Sequence, residues 1–514
     1  MDKVIEEFLS FPKSLLISPA GYGKTYTIVQ CVKEAGGKSL ILTHTHAGVA
    51  ALKKALKEQQ IDKKYYEIET ITSYAQKYVK AYCAETLPEI TDDNYWVFIL
   101  EKAESIFKNT HIRDVIKQTY SRLFVDEYQD CTISQHKVIL AISDSIPLHI
   151  LGDPLQGIMD FNKENDPLVN FYNDDLEDFT KTTELSIPYR WRKEGNNISL
   201  GEYLVSIREK LIDNLENNAK HEIDLTDNPN NSFHFIKTLG SVYSYEGINK
   251  ETNILNKQTN KNYTYKELIR YILNNPKNLP SYESLLIISK PPIRRGQSPV
   301  EFRAKLKSVL YYPALYLLEA IDEKSFYNLS NLADEIIAEG LKDNLKKLYD
   351  FLINLFNKTD IDNWINSSTY KLKRKTNEND KIKSIEIEKL INEFNNFKQP
   401  ILFYKVIEYF YYNLNLKCNR TEFINCVLNA IKMTEVGDSI YKTMIDQRNK
   451  FRRVGRKIDG KCLGTVELTK GLEFDTVIIL DAETFKNPKE LYVAMTRACK
   501  NLFIFSNSET LKPF

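Results

Sequence analysis

Short runs of apolar residues recur along the first part of the chain, and each run ends in a polar or glycine-containing turn. The four runs are residues 14–18 (SLLIS), 39–43 (SLILT), 123–126 (LFVD) and 148–151 (LHIL). Stretches of helical periodicity separate them, and this alternation predicts an α/β unit with a parallel sheet over about the first 160 residues. Ligands of such sheets bind at the carboxyl ends of the strands, so we expect a site there.

A second set of apolar runs predicts another α/β unit, which is discontinuous in the sequence. Its strands are expected at residues 233–236, 285–288, 476–480 and 502–505. Long segments with the hydrophobic period of a helix interrupt both units. The predicted organisation is a first unit over 1–75 and 119–200 with a short helical insertion at 76–118, and a second unit over 201–311 and 456–514 with a helical insertion at 312–455.

Composition excludes several classes of protein. The 514 residues include 70 Lys or Arg and 69 Asp or Glu, so the net charge of +1 rules out a histone-like polycation, and nucleic-acid binding would need local basic patches. A hydrophobic fraction of 42% excludes general disorder. No apolar stretch approaches the ~20 residues of a membrane span, and the amino-terminal segment is too acidic for a signal peptide. Seven scattered cysteines without a C-x-x-C pair argue against zinc and iron–sulfur sites and favour the cytoplasm.

A glycine-rich loop between the first strand and a predicted helix has the composition of a phosphate-binding loop. Its glycines would let backbone N–H groups surround phosphates, its lysine would neutralise their charge, and its threonine hydroxyl would contact Mg²⁺. Ser18 replaces the first glycine of the long form of this motif, while the shorter form is intact. A glycine-rich turn without function remains the alternative. The residues of the loop are Ala20, Gly21, Tyr22, Gly23, Lys24 and Thr25.

Two adjacent acidic residues stand at the carboxyl end of the predicted strand at 123–126. Asp126 and Glu127 would both reach the carboxyl edge of the sheet, where one carboxylate can hold Mg²⁺ and the other can polarise an attacking water. A solvated acidic turn is the alternative explanation for these residues.

Together these segments resemble the UvrD/Rep-like group of superfamily one helicases. The resemblance rests on six motifs in the order of that family: AGYGKT at 20–25, DEYQD at 126–130, GDPLQGI at 152–158, PYR at 188–190, KGLEFD at 470–475 and YVAMTRA at 492–498. It implies that both α/β units are RecA-like P-loop NTPase domains, with parallel sheets flanked by helices.

The resemblance also implies a role for each matching position. Lys24 and Thr25 would hold the β- and γ-phosphates and Mg²⁺, and Asp126 would complete the metal site. Glu127 would be the catalytic base and Gln156 would sense the γ-phosphate. The remaining roles are stacking on the nucleobase for Tyr189, contact with the ribose for Glu473, and arginine fingers for Arg190 and Arg497.

Other positions depart from the family's pattern. Residues 1–13 lack the Gln that reads adenine, so another NTP or a dNTP could replace ATP. The positions that track DNA are altered more strongly: His44 stands in a changed T-F-T-N-K-A segment, and Glu467 replaces a His. Thr70, in a segment that has also lost a His, and Phe161 are the other candidate DNA contacts. The aromatic ring of Phe161 could stack on a base.

These features predict a Mg²⁺-dependent, cytoplasmic ATPase that binds or senses single-stranded DNA or duplex ends, with reduced unwinding. Basic residues at 442–461 and at Arg294 and Arg295 could contact phosphates or form a solvated surface. The short insertions also resemble the helicase-like subunit of Gabija-type antiphage systems, which implies an OLD-family nuclease as partner. The alternatives are a regulatory subunit switched by nucleotide and a repair helicase that acts alone.

Overall fold

The computed structural model of the chain describes most of its residues. Phe161, Arg294, Arg295 and most of the basic segment at 442–461 lie outside the described part. The described residues are 2–88, 95–158, 166–171, 174–239, 243–244, 247–248, 253–256, 261–264, 267, 284–290, 306–307, 315–318, 324–341, 345–414, 416, 418, 421–444, 447 and 460–514.

The amino-terminal part alternates strands and helices as its apolar runs predict. Its strands are β1 (Lys13–Ile17), β2 (Ser39–Thr43), β3 (Tyr66–Thr70), β4 (Arg122–Asp126), β5 (Leu148–Gly152) and β6 (Thr180–Lys181). Its helices are α1 (Asp2–Ser10), α2 (Lys24–Glu34), α3 (His46–Glu58), α4 (Ile71–Tyr82), α5 (Tyr95–Phe107), α6 (Thr110–Thr119), α7 (Ile133–Ser143), α8 (Tyr189–Arg192) and α9 (Ile198–Glu216).

The strands β1 to β6 form one parallel sheet in the order β3-β2-β4-β5-β1-β6. The central strands are buried along almost their whole length, which explains their continuous apolar sequences. Every strand of this sheet points the same way, so the turns after β1, β2 and β4 meet at one edge.

Further strands and a group of helices follow. The strands are β7 (Ile223–Asp224), β8 (His234–Lys237), β9 (Tyr243–Ser244), β10 (Gly247–Ile248), β11 (Asn253–Asn256), β12 (Lys261–Thr264), β13 (Ser284–Ile288) and β14 (Tyr316–Leu317). The helices are α10 (Lys324–Glu339), α11 (Lys346–Leu355), α12 (Lys358–Asp362), α13 (Glu378–Phe397), α14 (Pro400–Tyr412) and α15 (Thr421–Met433).

The carboxyl-terminal part completes a second sheet. It contributes β15 (Gly460–Gly464), β16 (Phe474–Ile479), α16 (Pro488–Met495), β17 (Ala498–Ser506) and β18 (Thr510–Leu511). The second six-stranded sheet has the order β14-β15-β13-β16-β17-β8. In it, β13 pairs on both sides with strands, β15 and β16, that come far later in the sequence. The predicted fold class is therefore confirmed: two parallel α/β sheets flanked by helices, with additional helical parts.

The chain divides into two compact units. Both sheets, apart from Leu317 at the end of β14, belong to one unit of residues 1–292, 309–316 and 453–514. The helices α10 to α15 belong to the other, of residues 293–308 and 317–452. The helical unit has its own core of buried Leu, Ile and Phe side chains. None of the helices in the described residues is sufficiently long and apolar to cross a bilayer.

Candidate nucleotide-binding site

The turn between β1 and α2 depends on two glycines in the left-handed region. Gly21 has φ 79° and Gly23, which precedes the first residue of α2, has φ 90°. L-residues adopt this region at a cost, and a Cβ at Gly21 would also lie only 2.8 Å from Arg190 Cβ. The Arg190 backbone N–H donates to the Gly21 carbonyl at 2.9 Å, so the loop is held against the PYR segment.

Lys24, at the start of α2, faces the acidic residue that ends β4 and the one that follows it. Its Nζ lies 2.5 Å from Glu127 Oε1 and 3.4 Å from Asp126 Oδ1. Asp126 Oδ1 also accepts the Glu127 backbone N–H at 2.9 Å, and Glu127 itself has a left-handed φ of 56°. The phosphate-binding loop and the acidic segment thus form one charge cluster at the edge of the first sheet.

This cluster shifts the pKa values of its members. Burial alone would lower the pKa of the Lys24 ammonium, but the two carboxylates outweigh it and raise that pKa. Burial tends to raise the pKa of Glu127, yet the ammonium groups of Lys24 and Lys470 dominate and lower it to about 2. For Asp126, burial has the larger effect, and its pKa is raised. A second cation near Asp126 would therefore relieve an unfavourable burial of charge.

Arg497 reaches the same region from the second sheet, at the turn between α16 and β17. The residue is 1% exposed, and its guanidinium donates to the carbonyl oxygens of Val493 at 3.0 Å and Leu472 at 3.1 Å. One of its nitrogens lies 3.5 Å from Gln156 Oε1, at the edge of the first sheet. Burial, with Arg190 nearby, lowers the pKa of Arg497 to about 10.

Arg190 and Glu473 form an ion pair next to Arg497. Arg190 Nη2 lies 2.8 Å from Glu473 Oε1, and its Nη1 donates to the Thr496 carbonyl at 2.5 Å. The neighbouring Tyr189 is 39% exposed, and its ring stands 3.4 Å from the position of a Cβ on Gly23. Arg190 therefore contacts both the phosphate-binding loop and the segment that contains Arg497.

These residues line a single cavity of about 640 Å³. Most of the predicted nucleotide-site residues lie on its wall: Ala20, Gly21, Gly23, Lys24, Thr25, Glu127, Gln156, Tyr189, Arg190, Glu473 and Arg497. Pro19, Tyr26, Lys193 and Gly471 also line it and were not predicted. Tyr22 is buried outside the lining, and burial raises its pKa to about 12. Asp126 is not among the lining residues, but its Oδ1 lies 3.4 Å from Nζ of Lys24, which is.

Hydrogen bonds behind the cavity connect Glu127 and Gln156 to residues that were not predicted as part of the site. Gln129 donates to Glu127 Oε2, and its Oε1 accepts the Asp153 backbone N–H at 3.0 Å. Asp153 also accepts from Gln156 at 2.8 Å and from Arg208 at 2.8 Å. This chain of contacts fixes the Glu127 and Gln156 side chains, and Gln129 and Asp153 could have been suspected because they stand within the recognised motifs.

The candidate DNA contacts lie in different surroundings. Thr70 precedes α4, where its hydroxyl accepts the Ser73 N–H at 3.1 Å, and it lines a groove together with His46. His44 is instead near Asp130, Gln135 and Lys470, and burial lowers its pKa. Phe161 is outside the described residues.

The donor atoms in the cavity fit a nucleotide with Mg²⁺. Thr25 and Asp126 offer the oxygen ligands that this hard cation prefers, and Asp126 is a buried carboxylate that already faces a cation. The loop offers backbone N–H groups at a helix N-terminus, which favours phosphate.

Residues 2–162 match the family model of an AAA domain. This match supports a P-loop, helicase-like family, because this domain is found in UvrD/Rep-like helicases. No curated protein matches the chain.

Proposed function

We propose that this chain is a Mg²⁺-dependent nucleoside triphosphatase of the UvrD-like class that uses hydrolysis to move on DNA or to sense it. One observation carries the proposal. Lys24 and Glu127, at the edge of the first sheet, line the same cavity as Arg497, at the edge of the second. Phosphoryl transfer requires mostly positioning and charge stabilisation, and these are the groups that supply both.

Nucleotide binding would redistribute the charge around Lys24. In the structure its ammonium neutralises Glu127 at 2.5 Å. When the ammonium moves to the phosphates, Glu127 loses its nearest cation and its pKa rises from about 2 toward the range of a useful proton acceptor. Mg²⁺, held by Thr25 and Asp126, would supply charge neutralisation at the phosphates. Glu127 would therefore become a stronger base when the nucleotide is bound.

The two arginines would stabilise the charge that develops on the transferred phosphoryl group. Arg497 donates to the backbone carbonyls of Val493 and Leu472, and Arg190 is paired with Glu473. A nucleotide would compete for Arg190, and Glu473 would then be released for the ribose, while Tyr189 is exposed enough to stack on the base. Because groups on two sheets must converge, hydrolysis would be coupled to movement between them.

Measurement of nucleotide hydrolysis with and without single-stranded DNA tests the proposal. We expect Mg²⁺-dependent hydrolysis that DNA stimulates, and its abolition in Lys24→Ala and Glu127→Gln proteins that retain their circular dichroism spectrum. Full activity in either variant would contradict the site assignment. ATP, GTP and dATP should be compared, since the adenine-reading Gln is missing.

A regulatory subunit switched by nucleotide is the second candidate. The position of His44, beside Asp130 and Lys470 instead of in the groove with Thr70, favours a weakened DNA track. Nucleotide hydrolysis that DNA does not affect, together with no DNA binding at low salt, would favour this candidate over the motor. Strand displacement on a tailed duplex would instead favour a repair helicase that acts alone.

The resemblance to Gabija-type subunits further suggests a complex with an OLD-family nuclease in antiphage defence. Co-expression with such a nuclease encoded beside this chain, followed by size-exclusion chromatography, tests the complex. Co-elution would support it, and separate elution would count against it.

A further inference from the structure

A continuous groove runs along β3, the edge strand of the first sheet. Its first part, of about 410 Å³, includes Thr70 and Ser73 at the carboxyl end of the strand. Its second part, of about 830 Å³, extends past Tyr66 to Lys63 at the other end. Both parts share Lys53, Ile68 and Glu69, so they form one groove between α3 and β3. Because β3 has five residues, the groove follows about 16 Å of strand.

Each acidic residue that lines this groove forms an ion pair with a lysine of the protein, and the Asp62 carboxylate lies 3.6 Å from Lys64 Nζ. Glu67 accepts hydrogen bonds from Lys38 at 2.7 Å, Lys77 at 2.9 Å and the Tyr120 hydroxyl at 2.8 Å. These contacts outweigh its burial and lower its pKa to about 2. Glu69 also pairs with Lys77, at 3.3 Å.

The lysines of the groove, in contrast, are not neutralised. Within the described part of the chain, Lys53, Lys57 and Lys63 form no ion pair, although all three line the second part of the groove. Lys53 and Lys57 are four residues apart on α3, so their like charges repel each other on one face of the helix. The groove therefore presents three free positive charges, which favours a polyanion as ligand.

An exposed aromatic residue stands beside this end of the groove. Tyr65 is 45% exposed, and the Lys64 ammonium lies 4.9 Å from the centre of its ring. Bases of single strands stack on such rings, and lysines contact the phosphates between them. An acidic peptide would form ion pairs with the lysines, but its carboxylates would not stack on the Tyr65 ring.

We propose that this β3 groove binds a single strand of nucleic acid that continues beyond the contacts at Thr70. The inference rests on the proposed function, because it extends the strand that the motor would hold. Phosphates lie along Lys53, Lys57 and Lys63, and a base stacks on Tyr65. The groove thereby lengthens the binding site without touching the nucleotide cavity.

The test compares binding of fluorescent oligothymidylates of increasing length to the wild type and to Lys53→Gln/Lys57→Gln/Lys63→Gln. The matched control, Lys117→Gln/Lys137→Gln/Lys210→Gln, removes the same charge from exposed lysines elsewhere on the unit that contains both sheets. We expect the groove variant to keep the affinity for short strands and to lose the gain with length. Its slope of log affinity against log salt should fall by about two, since each single-strand phosphate contact contributes ~0.7.

Three other results of this binding experiment would contradict the groove proposal. Equal binding by the wild type and the groove variant at every length would overturn the groove proposal and leave the proposed motor function intact. Absence of binding by the wild type at low salt would overturn the DNA part of the proposed function and the groove together. Binding of polyglutamate but not of oligothymidylate would assign the groove to an acidic protein instead.

Discussion

The Lys470 ammonium lies 2.5 Å from both carboxylate oxygens of Asp130, a residue 340 positions earlier in the chain. The same ammonium donates to the Gln156 carbonyl at 2.5 Å. Asp130 stands four residues after the end of β4, and Lys470 four residues before the start of β16, so the pair joins the edges of the two sheets beside the nucleotide cavity. Both side chains are nearly buried, at 9% and 4% exposure for Lys470 and Asp130.

Removal of one member of this pair should destabilise the protein strongly. Lys470→Met would leave a buried, uncompensated carboxylate, and Asp130→Asn a buried ammonium, each at a cost of about 3–5 kcal/mol. The double variant should cost clearly less than the sum of the two. Urea unfolding followed by fluorescence gives the three values, and strict additivity would contradict an energetic link between the residues.

Replacement of Arg497 by lysine should lower the rate of hydrolysis and leave nucleotide affinity largely unchanged. Lysine keeps the charge but lacks the planar group that contacts Val493, Leu472 and Gln156 at once. We expect kcat to fall by about 10³ or more. Arg192→Lys, on the exposed surface nearby, is the control. A similar kcat for both variants would exclude Arg497 from the reaction.

Gly21→Ala should weaken nucleotide binding by about tenfold or more, equivalent to at least about 1.4 kcal/mol. The new methyl group would meet Arg190 Cβ at 2.8 Å and distort the phosphate-binding loop. Gly195→Ala is a matched control, since Gly195 has a similar φ of 81° but no described atom within 4 Å of the added methyl group. Titration with a fluorescent nucleotide measures the affinity of each variant. Equal affinities would show that the contact between the new methyl group and Arg190 does not affect nucleotide binding.

His149 should make the protein less stable in acid. Arg122 can only donate to its Nε2, at 2.9 Å, so Nδ1 carries the proton and donates to Ser14 Oγ at 2.8 Å. Burial, and then Arg122, lowers the pKa of His149 to about 3. Between about pH 6.5 and pH 3, the imidazole is protonated in the unfolded chain but stays neutral in the folded protein. The free energy of unfolding therefore falls by up to about 1.4 kcal/mol for each pH unit of acidification in this range.

His149→Gln tests this effect because glutamine can accept from Arg122 and donate to Ser14 without titrating. Unfolding free energies of the wild type and variant should be compared between pH 7 and pH 4. The variant should lose less stability on acidification. Parallel pH profiles would show that His149 does not contribute.

The sequence by itself determined the α/β class and most of the residues that meet in the nucleotide cavity. Strands buried on both faces need continuous apolar runs, and a phosphate-binding turn needs glycines at fixed positions, so both leave local patterns. The edge strand β3 was not predicted, because its sequence YEIET places Glu67 and Glu69 among the apolar residues. Alternation of this kind is typical of a strand that is only partly buried. A segment of five residues contains too few alternating positions to predict such a strand.

Only the tertiary structure decided which charges face each other. No local pattern specifies that Lys24 contacts Glu127, that Arg190 pairs with Glu473, or that Lys470 reaches Asp130. These partners depend on how the chain brings distant strands to one edge, and their pKa values depend on the water that packing removes. The same reason explains the free lysines of the β3 groove: whether an ammonium is neutralised is decided by neighbours that the sequence does not place.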